Sequence, residues 1–328
     1  MKTKTLKMLL AGAVMASMAV TQVAPVMAAE TEAEAAAEEE EDEENYMTGD
    51  ASMDDPLSGD EIGDNEILVV SFGTSYNYSR YADVGGIERA IQEAFPDWSV
   101  RRAFTANIVI DHVASRDGEI IDDVDQALQR SVDNGVKNLV VAMTHLMEGH
   151  EYTDVVEAVA QYADNFESVA ITESLLGPND ALVLEPVVDI LVNLGQNYDD
   201  GETAIVYMGH GTDAESDDDY GALQDALTAG GHDNYYITTV ESETWNTERV
   251  LEAIADKGYT KVVLRPLMVV AGDHAHNDMA GMDEDTLRTM FAEAGYEVDC
   301  VLDGLGQVPA IQDLYVEHVQ AAIDSLAE

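Results

Sequence analysis

Residues 67–74, Ile67-Leu68-Val69-Val70-Ser71-Phe72-Gly73-Thr74, set a continuous apolar run against a Gly-Thr stop. A run without alternation is a strand covered on both faces, as a parallel sheet between helix layers requires. Beyond the glycine, Ile87, Ile91 and Phe95 recur at helical spacing, so strand, turn and helix follow one another. The cadence repeats, with strands near 99–105, 137–146 and 168–174 and helices near 119–133, 151–162 and 180–194. A second series has strands near 203–209, 235–241, 260–269 and 297–302, with helices between and after them. This alternation predicts an α/β protein with parallel sheets flanked by helices.

The two series resemble each other. Ile67 to Thr74 parallels Ala204-Ile205-Val206-Tyr207-Met208-Gly209-His210-Gly211-Thr212, and Gly135 to Val141 leading to His150 mirrors Gly258 to Leu264 leading to His274. Two similar Rossmann-like lobes are therefore expected, over 66–196 and 197–328, with the joint in the Gly/Asn/Asp-rich stretch 195–202. A cleft between them would gather ligands at the carboxyl ends of the strands.

Asp and Glu outnumber Lys and Arg by 66 to 15, a formal net charge of −51. Nucleic-acid affinity rests on Lys and Arg neutralising phosphates, so this balance argues against that class and for cations as guests. The single Cys300 excludes an intrachain disulfide, a CxxC redox pair and a thiolate-rich zinc site. Lys2, Lys4 and Lys7 precede the apolar run Met8 to Val20 and the small-residue site Val26-Met27-Ala28. That pattern predicts a signal peptide over 1–28, cut near Ala28, and an exported protein, periplasmic or extracellular. Residues 29–65 hold 16 acidic residues and no basic one, and read as an acidic disordered linker.

Chemistry is expected at the strand ends of the second lobe. The first of its strands stops at His210, the second at Glu241, and the third runs through Gly272-Asp273 into His274. Parallel neighbours would bring two imidazoles and a carboxylate to one edge, a set suited to Co2+, Fe2+, Ni2+ or Zn2+ with positions left open for a substrate. No GxxxxGK[ST] loop is present for ATP, no GxGxxG for NAD, no GxSxG elbow, and His150-Glu151 lacks the zincin's second histidine.

Leu68 to Tyr76, Arg102-Ala103-Phe104-Thr105, Tyr207-Met208-Gly209-His210-Gly211-Thr212 and Pro266 to Ala280, with its Ala271-Gly272-Asp273-His274-Ala275-His276-Asn277-Asp278 core, together resemble the anaerobic cobalt chelatases of the CbiK type over roughly 66–325. The resemblance implies the class II chelatase fold and ATP-independent insertion of Co2+ into sirohydrochlorin, a lyase reaction of cobalamin biosynthesis. It places the metal-binding and catalytic positions on His210, Glu241 and His274. It also puts a further acid on Glu151, within Gly149-His150-Glu151-Tyr152, and a histidine on His145. With Ser71, Phe72, Gly73 and Thr74 these two are expected at the tetrapyrrole. Asp273, Asn277 and Asp278 are candidates to fix imidazole tautomers.

The sequence departs from the family in three places. The stretch Asp213-Ala214-Glu215-Ser216-Asp217-Asp218-Asp219 stands where relatives often carry another histidine, and Ser242 follows the glutamate in place of glycine. His276 is an added imidazole, read as a surface group or an extra ligand. Sirohydrochlorin is a polycarboxylate, and Arg80, Arg101, Arg102 and Arg265 are among the few bases available to meet it. The alternative to an exported chelatase is an exported non-catalytic carrier of metal, heme or another tetrapyrrole. A homo-oligomer is compatible with either reading.

Overall fold

In a computed structural model, residues 51–60 and 62–326 are described. The expected signal peptide, and the expected linker up to residue 50, lie outside them.

β1 (Asn65–Ser71) sits inside a five-stranded sheet with β2 (Ser99–Phe104), β3 (Asp122–Asp123), β4 (Asn138–Met143) and β5 (Ser168–Ile171), in the order β3-β2-β1-β4-β5. β6 (Thr203–Gly209), β7 (Tyr235–Thr239), β8 (Lys261–Pro266) and β9 (Glu297–Cys300) form a second sheet ordered β7-β6-β8-β9. All pairings are parallel. The connecting helices are α1 (Gly85–Ala94), α2 (Asn107–Asp117), α3 (Val124–Asp133), α4 (His150–Tyr162), α5 (Glu185–Gly195), α6 (Asp218–Ala229), α7 (Thr247–Ile254), α8 (Leu287–Glu293) and α9 (Pro309–Leu326). Two parallel-sheet α/β lobes result.

Strand alternation sends residues to two different cores. Ile67 and Val69 join Ile205, Tyr207 and Val263 in one apolar mass shared by both sheets, filled by Ile87 and Ile91 of α1, Leu191 of α5, Leu223 of α6 and Tyr315 of α9. Leu68 and Val70 face outward into a cluster under α3 and α4, and Val206 and Met208 into one under α7 and α8. Each buried Val, Ile or Leu gains about 1.5–3 kcal/mol by leaving water, so the shared mass holds the lobes together.

Several expectations are corrected. The predicted helix near 119–133 begins only at Val124, where Asp123 and Gln126 form a capping box. The chain before it forms α2, which buries Val109 and Val113 four residues apart and ends on the left-handed Gly118. α9 leaves the second sheet and packs on α1, β4 and β5, with Tyr315 Oη donating to the Thr144 carbonyl at 2.9 Å. The first lobe is therefore not built from 66–196 alone, since it takes α9 from the expected second lobe. The linker reading to residue 65 fails at its end, because the Asp54 side chain is 1% exposed against Arg80 and Arg102. Arg80, Arg101, Arg102 and Arg265, expected to meet a polyanion, are all buried. Arg101 is held by Glu66 at 2.7 Å, and Arg102 by Glu88 and Asp54, each at 2.6 Å.

Candidate metal centre

The second sheet changes direction of winding between β6 and β8, and such a switch point opens a crevice at the strand ends. His210 leaves β6, His274 lies in the segment after β8, and Glu241 follows β7 on the other side of β6. Backbone hydrogen bonds tie two of the three together, since the N–H groups of Val240 and Glu241 donate to the His210 carbonyl at 3.1 and 2.8 Å. Gly211 makes that approach feasible. Its φ is +94°, and a Cβ there would stand 2.5 Å from the Ser242 nitrogen.

The three side chains offer ligand atoms within 4.8 Å of one another, and the two imidazole rings meet edge to face with centroids 4.6 Å apart. His210 Nδ1 lies 2.9 Å from the Gly211 carbonyl and 3.7 Å from the Glu241 carboxylate. His274 Nδ1 lies 2.7 Å from Asp278 Oδ2, one helical turn on. Carbonyl and carboxylate oxygens only accept, so each Nδ1 carries a proton and each Nε2 keeps the lone pair a metal needs. Burial would lower the His274 pKa, but the hydrogen bond and charge of Asp278, with Asp273 and Glu241 behind it, outweigh burial and raise it. A cation seated on that Nε2 would meet surroundings that already favour positive charge.

A cleft of about 1310 Å³ opens over this trio. Phe72, Gly73, Thr74, His145 and Glu151 line it from the first lobe, again at a switch point, between β1 and β4. Phe72 is 48% exposed, an apolar face presented to the cleft, and Gly73, at φ +101°, lets the turn close over the Phe104 ring. Both ring nitrogens of His145 are buried and neither is hydrogen-bonded, and burial lowers its pKa to about 4. Glu151 lies 3.8 Å from it. About half of the Glu151 side chain reaches solvent, yet the cleft walls enclose the carboxyl enough to push its pKa up to about 7.

Of the other predicted residues, Asp273, Asn277 and Asp278 line the same cleft and Ser71 does not. Ser71 is 2% exposed and absent from the cleft wall, its hydroxyl accepting from Thr144 Oγ1 at 2.8 Å. Asn277 Nδ2 donates to Asp273 Oδ1 at 2.7 Å, and Asp278 Oδ2 meets the His274 imidazole. His276 is neither a bare surface group nor part of the ligand trio: Nδ1 donates to the Gly272 carbonyl at 2.8 Å and the ring stacks on Tyr76 at 4.2 Å. Two departures from the family pattern meet, because Ser242 Oγ donates to Asp217 Oδ2 at 2.6 Å. Tyr220 escaped the sequence reading. Its hydroxyl accepts the Gly211 N–H at 3.2 Å, and its ring fills the space a Gly209 side chain would take. Among the described lining residues are seven carboxylates and no Lys or Arg.

Residues 65–324 match the family described as cobalt chelatase (CbiK). The chain is 33% identical over 264 residues to a sirohydrochlorin cobaltochelatase of Salmonella typhimurium, covering 80% of this chain and 97% of that one. It is 28% identical over 262 residues to the sirohydrochlorin cobaltochelatase CbiKC of Nitratidesulfovibrio vulgaris, covering 79% and 91%. Among solved structures, SirB from Bacillus subtilis with Fe3+ aligns with a TM-score of 0.55 at 12% identity, covering 80% of this chain and 96% of that chain. The sirohydrochlorin chelatase SirB from Bacillus subtilis subspecies spizizenii in complex with cobalt aligns at 0.52 and 13%, covering 79% and 95%. At such identities these two structures speak for the fold alone, and it is the same two-lobed one.

Proposed function

Since the chain belongs to the cobalt chelatase (CbiK) family, we propose that it inserts Co2+ into sirohydrochlorin without ATP, with Fe2+ and Ni2+ as competing metals. The observation that carries this is the convergence of His210, Glu241 and His274 on the wall of a cleft of about 1310 Å³. Insertion requires a partly dehydrated cation and the removal of two pyrrole protons. Two neutral imidazole Nε2 atoms and one carboxylate hold the ion on one side and leave its remaining positions for macrocycle nitrogens. Glu241 offsets one of the two charges. Asp278 keeps His274 in the metal-binding tautomer.

Glu151 suits the role of proton acceptor, because a carboxylate with a pKa of about 7 is ionised in a useful fraction at neutral pH and takes a proton readily. His145 stays neutral under the same conditions and adds no positive charge beside Glu151. The acceptor must be ionised to work, so kcat is expected to rise with pH up to about 7 and level off above it. Glu151→Gln should lower the plateau about 10²-fold and abolish that limb. A pH–rate profile for both proteins decides this, and an unchanged limb in the variant would assign it to another group.

Capture of the substrate has an electrostatic signature. A polycarboxylate approaching a cleft with seven acids and no Lys or Arg is repelled at long range. Raising ionic strength from about 0.01 to 0.15 M shortens the Debye length from about 30 to 8 Å, and KM for sirohydrochlorin should fall. A KM that rises with salt would reveal a cationic capture surface instead.

Export is part of the same proposal, supported by the lysines, apolar run and small residues of 1–28. Amino-terminal sequencing of protein recovered outside the cytoplasmic membrane should read from Ala29. The function itself is tested by the absorbance of sirohydrochlorin mixed with protein and Co2+. Spectral conversion above the protein-free rate is expected, and a stable bound spectrum with no conversion would leave a tetrapyrrole carrier.

A further inference from the structure

The segment that carries His274 is gripped from the opposite lobe. Its inner half pairs within its own lobe, Leu305 and Gly306 donating their N–H groups to the carbonyls of Met268 and Val269 at 2.9 and 2.8 Å. Ala271, three residues before His274, is held differently. Its N–H donates to Asp83 Oδ2 at 2.8 Å, and its carbonyl accepts from Ser79 Oγ at 2.6 Å. Ser79 and Asp83 are 3% and 0% exposed, and Ala271 is 0% exposed. They stand four residues apart on the helical stretch that follows the Phe72 to Ser75 wall of the cleft. One short piece of the first lobe therefore supplies part of the macrocycle's seat and also fixes both backbone groups of a residue beside the metal ligand.

Asp83 is a costly residue for mere packing. The groups seen on its carboxylate are neutral donors, namely the Ala271 N–H, the Gln307 side-chain amide at 3.0 Å and the Gly304 backbone, and Asp303 adds like charge. Burial pushes its pKa up to about 7. The second lobe is shaped around it as well, since a Cβ on Gly304 would come 2.4 Å from Asp83 Oδ2 and one on Gly306 2.6 Å from the Asp83 carbonyl oxygen. A buried carboxylate without a cation is disfavoured unless its hydrogen bonds are needed where they are.

We propose that Asp83 and Ser79 are positioning residues that clasp Ala271 across the lobe junction and set the placement of His274 relative to the macrocycle's seat. The inference rests on the metal-site reading above and adds to it two residues that touch neither metal nor substrate. Asp83→Asn leaves one acceptor oxygen where three donors converge and turns an NH2 toward the rest, so the clasp loosens while the volume is kept.

The test uses the full chain with Asp83→Asn and, as the gentler variant, Ser79→Ala, beside the unaltered protein and His274→Ala. For Asp83→Asn, Co2+ should bind about 10- to 100-fold more weakly, the range seen when partners of metal ligands are removed. Its kcat should fall with KM for sirohydrochlorin within twofold, and Ser79→Ala should shift both quantities the same way by a smaller factor. In metal-free protein the His274 imidazole NMR signals should move in both variants. Loss of thermal stability with Co2+ affinity, kcat and the His274 signals unchanged would overturn the clasp, and if Asp83→Asn does not fold, the same result in Ser79→Ala overturns it. Failure of the unaltered protein to bind Co2+ would count against the metal-site reading alone, and the metal-free His274 signals would still decide the clasp.

Discussion

His210→Ala and His274→Ala are each expected to yield a folded protein whose rate of Co2+ insertion is lower by about 10²–10⁴-fold, the span of a lost catalytic group. Folding should survive because neither ring is part of a core. The His210 side chain is 46% exposed and that of His274 29%, and they touch chiefly each other, the Gly211 carbonyl and Asp278. The double variant should lose little beyond the worse single one. Residues that act as a set are not additive, and a cation deprived of one imidazole is already presented wrongly. Glu241→Gln keeps an oxygen ligand but not the charge, so a smaller loss is expected there, concentrated in Co2+ affinity. The measurements are the initial rate of spectral conversion, a Co2+ titration and a far-UV circular dichroism spectrum for each variant. Retention of activity within threefold in both single variants would remove this trio from the reaction.

Much of this site was legible because its elements are local. His210, Glu241 and His274 each follow an apolar strand, and parallel order alone brings strand ends to one edge. What stayed hidden depends on partners far apart in sequence. No periodicity announces that Asp54 would reach Arg102, or that Ser79 and Asp83 would close on Ala271, because each contact joins residues far apart in sequence that are neighbours only in the folded chain. The buried arginines were misjudged for the same reason: a charge reads as exposed until its counter-ion is found. α2 carries only two buried residues, so its periodicity was too thin to see. α9 was read as a helix, but which lobe it covers is set by Ile311, Tyr315 and Val319 fitting against α1 and the first sheet. Ser71 shows the limit of reading a wall from a motif. Strand alternation turns it inward to Thr144 while its neighbour Phe72 faces the cleft.

Asp54→Ala is expected to cost about 3–5 kcal/mol of folding stability, the usual penalty for breaking a buried ion pair from one side. The side chains of Arg80 and Arg102 are both 0% exposed, and Asp54 serves both, accepting from Arg80 Nε at 2.8 Å and from the two terminal nitrogens of Arg102 at 2.6 and 3.0 Å. Glu88 holds Arg102 from the other side at 2.7 and 2.6 Å, but Arg80 is left with Glu119, 17% exposed, at 2.9 Å and Asp117, 9% exposed, at 3.5 Å. Without Asp54 one guanidinium remains buried and under-compensated. Asp54→Asn should lose nearly as much, which separates charge from shape, whereas the exposed Asp55→Ala should stay within about 0.5 kcal/mol of the parent. Urea unfolding of the three variants measures this, and a loss below about 1 kcal/mol in Asp54→Ala would mean that Glu88, Glu119 and Asp117 suffice. The effect should reach the cleft, because Arg80 also donates to the Thr74 carbonyl at 3.4 Å and Thr74 lines the wall. A truncation made to remove the acidic stretch therefore has to stop short of residue 54, or it removes a counter-ion on which the seat of the macrocycle depends.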